Sequence, residues 1–257
     1  MFRQRMKVWK GLNWINVILM FVSIQKMISI IVPAHNEKKN IVFLINDLLK
    51  LKLKKEIIIS NDHSTDGTRK IVEKMMKKHK GIRILNRNNG IKGMGFTLAD
   101  GTKIAKYPYV VWVMGDRSDD LNTIYDMVEK LDQGYDVVFG SRYIRGGSIG
   151  DNSKFKALMS GGYSFVANLL FHTGVHDIGN AFRAFKKEVF NRLKIERGDF
   201  SISPEMAIKA HLAGFKLGEV PTTYKKRKEG MSKFKLFNMG IRDVSLFKLF
   251  FVNPKKL

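Results

Sequence analysis

The sequence has no cysteine, few acids and only a short apolar run near its start. Without cysteine, the 257-residue chain can build neither a disulfide framework nor a thiolate metal centre, so its fold rests on packing and hydrogen bonds. The apolar run, Leu12 to Ile24, contains two asparagines and falls short of the roughly 20 residues a spanning helix needs. Arg3, Arg5, Lys7 and Lys10 precede it as in a signal peptide, but no small-residue cleavage site follows. Residues 1–26 therefore read as an extension suited to a membrane interface, with Met27 as an alternative start. The 23 acids face 46 lysines and arginines, a net charge of +23 that calls for a polyanionic partner: nucleic acid, anionic membrane or a phosphorylated small molecule. A nucleic-acid module is disfavoured, because no aromatics interleave with the basic run Lys225 to Lys228 and no recognised helix or zinc motif is present.

Short β-branched runs alternate with helical periodicity. Strands are expected at Ile28 to Val32, Glu56 to Ser60, Ile82 to Asn86, Tyr109 to Met114 and Asp136 to Phe139. Helices are expected at about Lys39 to Leu49, Thr68 to Lys78, Gly93 to Ala105 and Leu121 to Leu131. This alternation predicts an α/β fold with a mostly parallel sheet, and the continuously apolar strands predict helices on both faces. After Gly140 come glycine-rich loops, a helix near Phe155 to Phe171, a helix over Pro204 to Ala213 with Ser203 as its N-cap, and a late pair of strands around Phe215 to Tyr224. The tail, residues 234–257, reads as an amphipathic helix that either caps the core or lies in a membrane interface, with the basic run favouring the interface.

Three polar clusters stand where apolar runs end: Pro33 to Glu37, Asn61 to Thr68 and Met114 to Asp120. Strand ends gathered at one edge of an open sheet are where α/β folds bind ligands. A carboxylate at such an edge can accept from a base or a ribose, and a second can hold Mg²⁺ or Mn²⁺ bridging a diphosphate, so Asp62 and Asp116 are the candidates. Ser118, Asp119 and Asp120 add oxygen donors, although Asp120 equally suits the N-cap of the helix from Leu121. His35 can stack on or bond to a base, while Asn36 also fits a plain capping role, and Asp66-Gly67-Thr68 reads as a helix start. Arg142, just past the strand ending at Phe139, and Arg227 and Lys233 of the basic loop can clamp phosphates.

At these residues the chain resembles the family 2 glycosyltransferases with a GT-A fold, most closely the dolichol-phosphate mannose synthase group. The likeness runs from about Met27 to Lys235 through PAHNE, NDHSTDGT, MGDRSDD, GSRYIRGG, DIGNAFRAF, SPEM and RKEGMSK, in that order. The resemblance implies that Pro33, His35, Glu37, Asp62, Gly115 and Asp116 contact the nucleotide sugar and that Asp116 and Ser118 sit at the metal. It implies that Arg142, Arg227 and Lys233 bind the diphosphate or the acceptor phosphate. Lys156, where arginine is frequent, and Ser160 would line the acceptor site, with Asp177 and Arg183 in an acceptor-side segment. The chain departs from the family where Met114 replaces the first acid of the DxD motif, Asn61 another frequent acid and His35 a frequent tyrosine.

The implied reaction is inverting transfer of a hexose, mannose first, from a nucleotide sugar to a polyprenyl phosphate by a peripheral enzyme on the cytoplasmic face of an anionic membrane, without nucleic acid. The phosphate oxygen is already anionic, so positioning and electrostatics replace a strong base. The alternative is transfer from a UDP-sugar to a hydroxyl of a lipid-linked or polysaccharide acceptor. That reaction needs a base, for which Glu205 is the available carboxylate.

Overall fold

The computed structural model describes residues 27–88, 90–150, 154–225 and 246–247, without the side chains of residues 154 and 156. The expected extension over 1–26, Arg227, Lys233, the Lys156 side chain and nearly all of the tail lie outside them.

The described elements are β1 (Ile28–Ala34), α1 (Ile41–Lys50), β2 (Lys55–Asn61), α2 (Thr68–Lys78), β3 (Ile82–Asn86), α3 (Met94–Lys103), β4 (Tyr109–Trp112), α4 (Thr123–Asp132), β5 (Val137–Ser141), α5 (Lys154–Phe171), β6 (Arg183–Lys186), α6 (Lys187–Arg192), α7 (Ile202–Leu212) and β7 (Leu217–Pro221). The seven strands form one sheet in the order β3-β2-β1-β4-β6-β5-β7. All neighbours run parallel except β6, which is antiparallel to both β4 and β5.

Strand periodicity divides the core in two. Ile28, Ile30 and Val32 of β1 face the cluster that holds Ile41, Leu44, Ile45 and Leu48 of α1, Val72 of α2 and Met127 of α4. Ile31, one residue out of phase, faces the other cluster, with Leu98 of α3, Phe171 of α5, Phe190 of α6 and Met206 of α7. Both faces are thus covered, as the unbroken apolar strands require. Helix α1 buries residues 41, 44, 45 and 48, the stripe of a surface helix. Helix α7 buries every residue from Ile202 to Ala210, so even Glu205 and Lys209 must find partners inside the protein.

Several expectations change. The helix expected from Pro204 starts at Ile202, which leaves Ser203 inside the first turn, its Oγ without a partner among the described residues. The late strand pair is one strand, β7, followed by a bridge between Ser148 and Thr223. Strand β6 and helix α6 have no counterpart among the expected elements, being four and six residues long with charges at their ends. Of the tail, Leu246 is buried in the second cluster, and Phe247 stacks on Tyr163 with centroids 5.6 Å apart. At this point the tail packs on the core rather than on a bilayer.

Candidate active site

The chain runs outward from β1 through β2 to β3, then returns to place β4 on the other side of β1. The carboxyl ends of β1, β2 and β4 therefore meet at a reversal of strand order, where a crevice opens. Three non-glycine residues in left-handed conformation fall on the loops leaving these strands: Asn36 (φ 58°), His63 (φ 55°) and Arg117 (φ 65°). Such backbone is uncommon outside glycine and gathers at functional sites.

Each loop is pinned to its neighbours. Asn36 Oδ1 accepts the N–H of Thr65 at 2.8 Å, and the Asn36 N–H donates to Ser64 Oγ at 3.0 Å. Asn36 thus ties the loop after β1 to the loop after β2 and does not cap α1. Asp66 does start α2, since Oδ1 accepts from the Thr68 N–H and hydroxyl and Oδ2 from the Lys38 N–H. Burial pushes the Asp66 carboxyl up, but these bonds outweigh it and hold it below its ordinary range.

Asp62 is buried past the end of β2. Its Oδ1 accepts from Arg87 Nη1 at 2.6 Å and pairs with His63 Nδ1 at 2.9 Å, while Oδ2 accepts the Gly93 N–H at 2.9 Å. Arg87 is held in turn by Asp100 at 2.9 Å. His35 Nδ1 lies 2.5 Å from the carbonyl of Asp62. Glu37 accepts from Asn40 Nδ2 at 2.9 Å, and its N–H donates to Thr68 Oγ1. Pro33 is the penultimate residue of β1, and a Cβ on Gly115 would stand 2.7 Å from the Pro33 carbonyl and 3.5 Å from Glu37 Cγ. Only glycine lets the β4 loop approach β1 this closely. Pro33, His35, Glu37, Asp62 and Gly115 therefore do converge.

Asp116 is buried on a tight turn where Oδ1 accepts the Ser118 N–H at 3.0 Å. Asp119 Oδ2 accepts the Met114 N–H at 2.7 Å, and Asp120 Oδ1 accepts from Lys225 Nζ at 3.1 Å and, at 3.4 Å, from the Asn122 N–H ahead of α4. The helix expected from Leu121 starts at Thr123 with Asn122 in the N-cap position, so Asp120 braces the turn before α4 and does not cap it. An open cleft of about 410 Å³ adjoins this turn, lined in part by Asp47, Arg117, Asp119, Asp120 and Lys225. Among the described residues no three His, Cys, Asp or Glu side chains converge as a self-sufficient cation site. Mg²⁺ at nucleotides, however, takes only one or two protein carboxylates and completes its shell with phosphate oxygens and water. A buried carboxylate and a serine on one turn fit a cation that arrives with a diphosphate.

The loop after β5 carries Arg142. Its Nε and Nη2 donate to Asp177 Oδ2 and Oδ1 at 2.7 and 2.8 Å, and its backbone N–H to Oδ2 at 3.0 Å. Burial works to lower the guanidinium pKa, but the fork onto Asp177 raises it further, so the pair stays ionic. Glu219 fixes the Asp177 N–H from β7. Ser160 of α5 comes beside the segment that follows Asp177, with its Oγ 3.7 Å from where a Gly179 Cβ would be. Tyr143 donates to the Ala157 carbonyl at 3.0 Å, and burial pushes its phenol up.

Arg183 and Glu205 differ from what the acceptor role suggests. Arg183 is fully buried beneath the loop, where it donates to the carbonyls of Ser203 (2.8 Å), Ile178 (3.3 Å) and Asn180 and lies over the Phe139 ring at 4.6 Å. Burial pulls its pKa down to about 9, against an upward pull from Asp177, which leaves a cation at neutral pH. It braces the Asp177 to Asn180 segment from below. Glu205 is buried too, accepting from Lys209 Nζ at 2.8 Å and from the N–H groups of Glu196 (3.0 Å) and Arg197 (2.8 Å). Sequence reasoning missed Arg87, Gly93, Tyr143 and Glu219. Tyr143 and Arg87 each lie one or two residues past a strand, a signal that could have raised them.

The profile of Glycosyl transferase family 2 matches residues 29–194, and the chain belongs to this family. It is a glycosyltransferase that uses a nucleotide sugar. The polyprenol monophosphomannose synthase of Mycolicibacterium smegmatis is 24% identical over 83% of this chain and 86% of its own length. The dolichol-phosphate mannosyltransferase of Pyrococcus furiosus is 28% identical over 81% of this chain, which spans 59% of that longer protein. Among solved structures, glucosyl-3-phosphoglycerate synthase from Mycobacterium tuberculosis, in complex with Mn²⁺, UDP-glucose and phosphoglyceric acid, superposes with a TM-score of 0.68 at 15% identity, covering 94% of this chain and 85% of that one. Residues 1–349 of TarS from S. aureus give 0.54 at 20% identity over 77% and 60%. These likenesses establish the GT-A fold.

Proposed function

We propose that the protein moves a hexose from a nucleoside-diphosphate sugar to a polyprenyl phosphate, mannose being the first candidate sugar. One observation carries this reading: the acceptor-side carboxylates, Asp177 and Glu205, are each buried and committed to a cation and to backbone N–H groups. Neither is poised to take a proton from a hydroxyl. An acceptor whose nucleophilic oxygen is already anionic needs no such base. The two sequence relatives named for polyprenol and dolichol phosphate support the same acceptor class.

In this account Asp62, with His35 and Glu37 beside it, receives the nucleoside, and Asp116 with Ser118 receives the metal. A divalent cation bound there supplies positive charge to the departing diphosphate. Arg142, oriented by Asp177, holds phosphate next to Ser160, and Arg227, Lys233 and Lys156 add positive charge from the basic loop and α5. The acceptor oxygen attacks the anomeric carbon in line, the bond to the nucleoside diphosphate breaks, and the anomeric centre inverts. Most of the rate comes from holding two phosphate-bearing substrates together against their repulsion. The domain would span residues 27–233, with residues 1–26 meeting the cytoplasmic side of a membrane.

A second reading is transfer from a UDP-sugar to a hydroxyl acceptor, and the solved relatives favour it more directly, since several hold UDP or UDP-glucose with Mn²⁺ and phosphoglyceric acid, an acceptor that is not a lipid. Radiolabelled GDP- and UDP-sugars, incubated with the protein, Mg²⁺ or Mn²⁺ and a short polyprenyl phosphate, separate the two. Label passing from GDP-mannose into organic solvent supports the first reading, and label from a UDP-sugar changes only the donor. No transfer from any donor, with nucleotide binding intact, supports the second.

A further inference from the structure

Helix α5 is apolar on the face it turns to solvent as well as on part of the face it buries. Six large apolar side chains, Phe155, Leu158, Met159, Phe165, Val166 and Leu169, are between 40% and 73% exposed along it. Their spacing of three and four residues lays them on one stripe, about 20 Å long, with the exposed Gly162 at its middle. The face turned inward carries Ala157, Ser164 and Ala167, all buried, Asn168, which bonds to Val175 and Thr173, and, toward the C-terminal end, Phe171 in the core with Tyr163 and Leu170 packed beside it. Among the described residues only four other large apolar side chains are comparably exposed, scattered over four segments. A continuous apolar stripe of this size marks an interaction surface.

We infer that this stripe docks the protein on an anionic lipid bilayer, with α5 lying in the plane of the headgroups. The helix carries no acid, and Arg145, Lys154 and Lys156 lie in the sequence at or just before its N-terminal end, against one acid, Asp151. A second copy of the chain is the competing occupant, but pairing would bring together two molecules of +23 charge, whereas a bilayer of anionic lipid attracts that charge. No helix among the described residues is long and apolar enough to cross a membrane, so α5 can lie only on its surface. Its inner side meets Tyr143 and the Asp177 segment, so docking sets the Arg142–Asp177 pair about one helix diameter from the headgroups. That last consequence rests on the lipid-acceptor reading; the docking does not.

The test is flotation of the full chain with vesicles of equimolar phosphatidylglycerol and phosphatidylcholine, without donor or acceptor. Wild type should float, and the triple variant Leu158→Ser, Phe165→Ser, Leu169→Ser should bind at least about tenfold more weakly while keeping transfer to a short, water-soluble prenyl phosphate. Because the chain has no cysteine, Met159→Cys can carry a single environment-sensitive fluorophore, whose emission should shift to the blue on adding these vesicles even if the triple variant folds poorly. Wild type that does not float, a triple variant that floats as well as wild type, an unshifted fluorophore, or a lipid-free dimer that the triple variant splits would each overturn the inference. Absence of sugar transfer in wild type would sink the acceptor reading and leave the docking result standing.

Discussion

On the β1–β2–β4 side, Asp62 is held by donors from three segments, Arg87, His63 and Gly93, and the loops after β1 and β2 are cross-tied through Asn36, Ser64 and Asp66. On the β5–β6 side, charge rests on one fork between Arg142 and Asp177, while Arg183 beneath it donates to carbonyls through Nη1 and Nη2 and leaves Nε without a partner among the described residues. The first arrangement also holds a buried ion pair, Asp62 with Arg87, but shares it with Asp100 and with the His63 and Gly93 donors, so losing one bond leaves others in place. The second concentrates it in a buried ion pair, where removing either partner strands the other. A bed for a common nucleotide can be built redundantly from loop ties. On the proposed reading, a site that sets a phosphate beside a bilayer needs one cation in one orientation.

The largest effect should therefore come from the fork. Asp177→Ala is expected to lower stability by about 3–5 kcal/mol, because Arg142 is left buried without its counter-charge. Adding Arg142→Ala should restore part of that loss, measured by urea unfolding; additive losses would mean the pair is not coupled. Asp116→Ala should sharpen the contrast from the other side, with a loss of about a hundredfold or more in metal-dependent kcat and an almost unchanged unfolding curve. Near-normal turnover would remove Asp116 from the mechanism. Glu205→Gln should cost about 1–3 kcal/mol of stability through its bonds to Lys209 and the backbone, yet keep most of kcat. An inactive but folded enzyme that still binds donor would make Glu205 the base.

The smallest effect lies in the sheet's structural end. Glu56 is buried and accepts from Ser29 Oγ (2.6 Å), the Lys106 N–H (2.6 Å) and Arg83 (2.7 Å). Burial pushes its carboxyl up, but these bonds win and hold its pKa below the ordinary 4.5. Its unfolded form thus binds the proton first, so the stability it contributes is present above pH 4.5 and is lost as pH falls through the lower folded value. Glu56→Gln should remove about 1 kcal/mol at neutral pH and flatten the acid limb of a stability–pH curve, and an unchanged limb would count against the assignment.

Much of this could be read from residue order. Thr68–Lys78 and Ile82–Asn86 were expected with the bounds they have, because their periodicity and their flanking turn residues agree. The converging loops were legible because polar clusters follow apolar strands. What escaped depends on tertiary contact. Strand β6 is four residues long and carries an arginine that only its tertiary partners, the Phe139 ring and the Ser203 and Ile178 carbonyls, explain. Arg87 lies 25 residues from Asp62, and no local pattern announces their bond. Ser203 and Pro204 look like a helix start, but burial of the whole α7 cylinder draws the helix back to Ile202. The stripe on α5 was hidden because apolar spacing marks a helix face without saying which way it turns, and only the fold turns this one outward.

The proposed acceptor brings its own negative charge to a site whose two acceptor-side carboxylates, Asp177 and Glu205, are already committed. The direct measurement compares polyprenyl phosphate with the polyprenol of the same chain length, using one labelled donor and identical vesicles. The account predicts transfer to the phosphate alone. Equal or preferred transfer to the alcohol would contradict it and place a general base in a site where Asp177 and Glu205 are here assigned to structure.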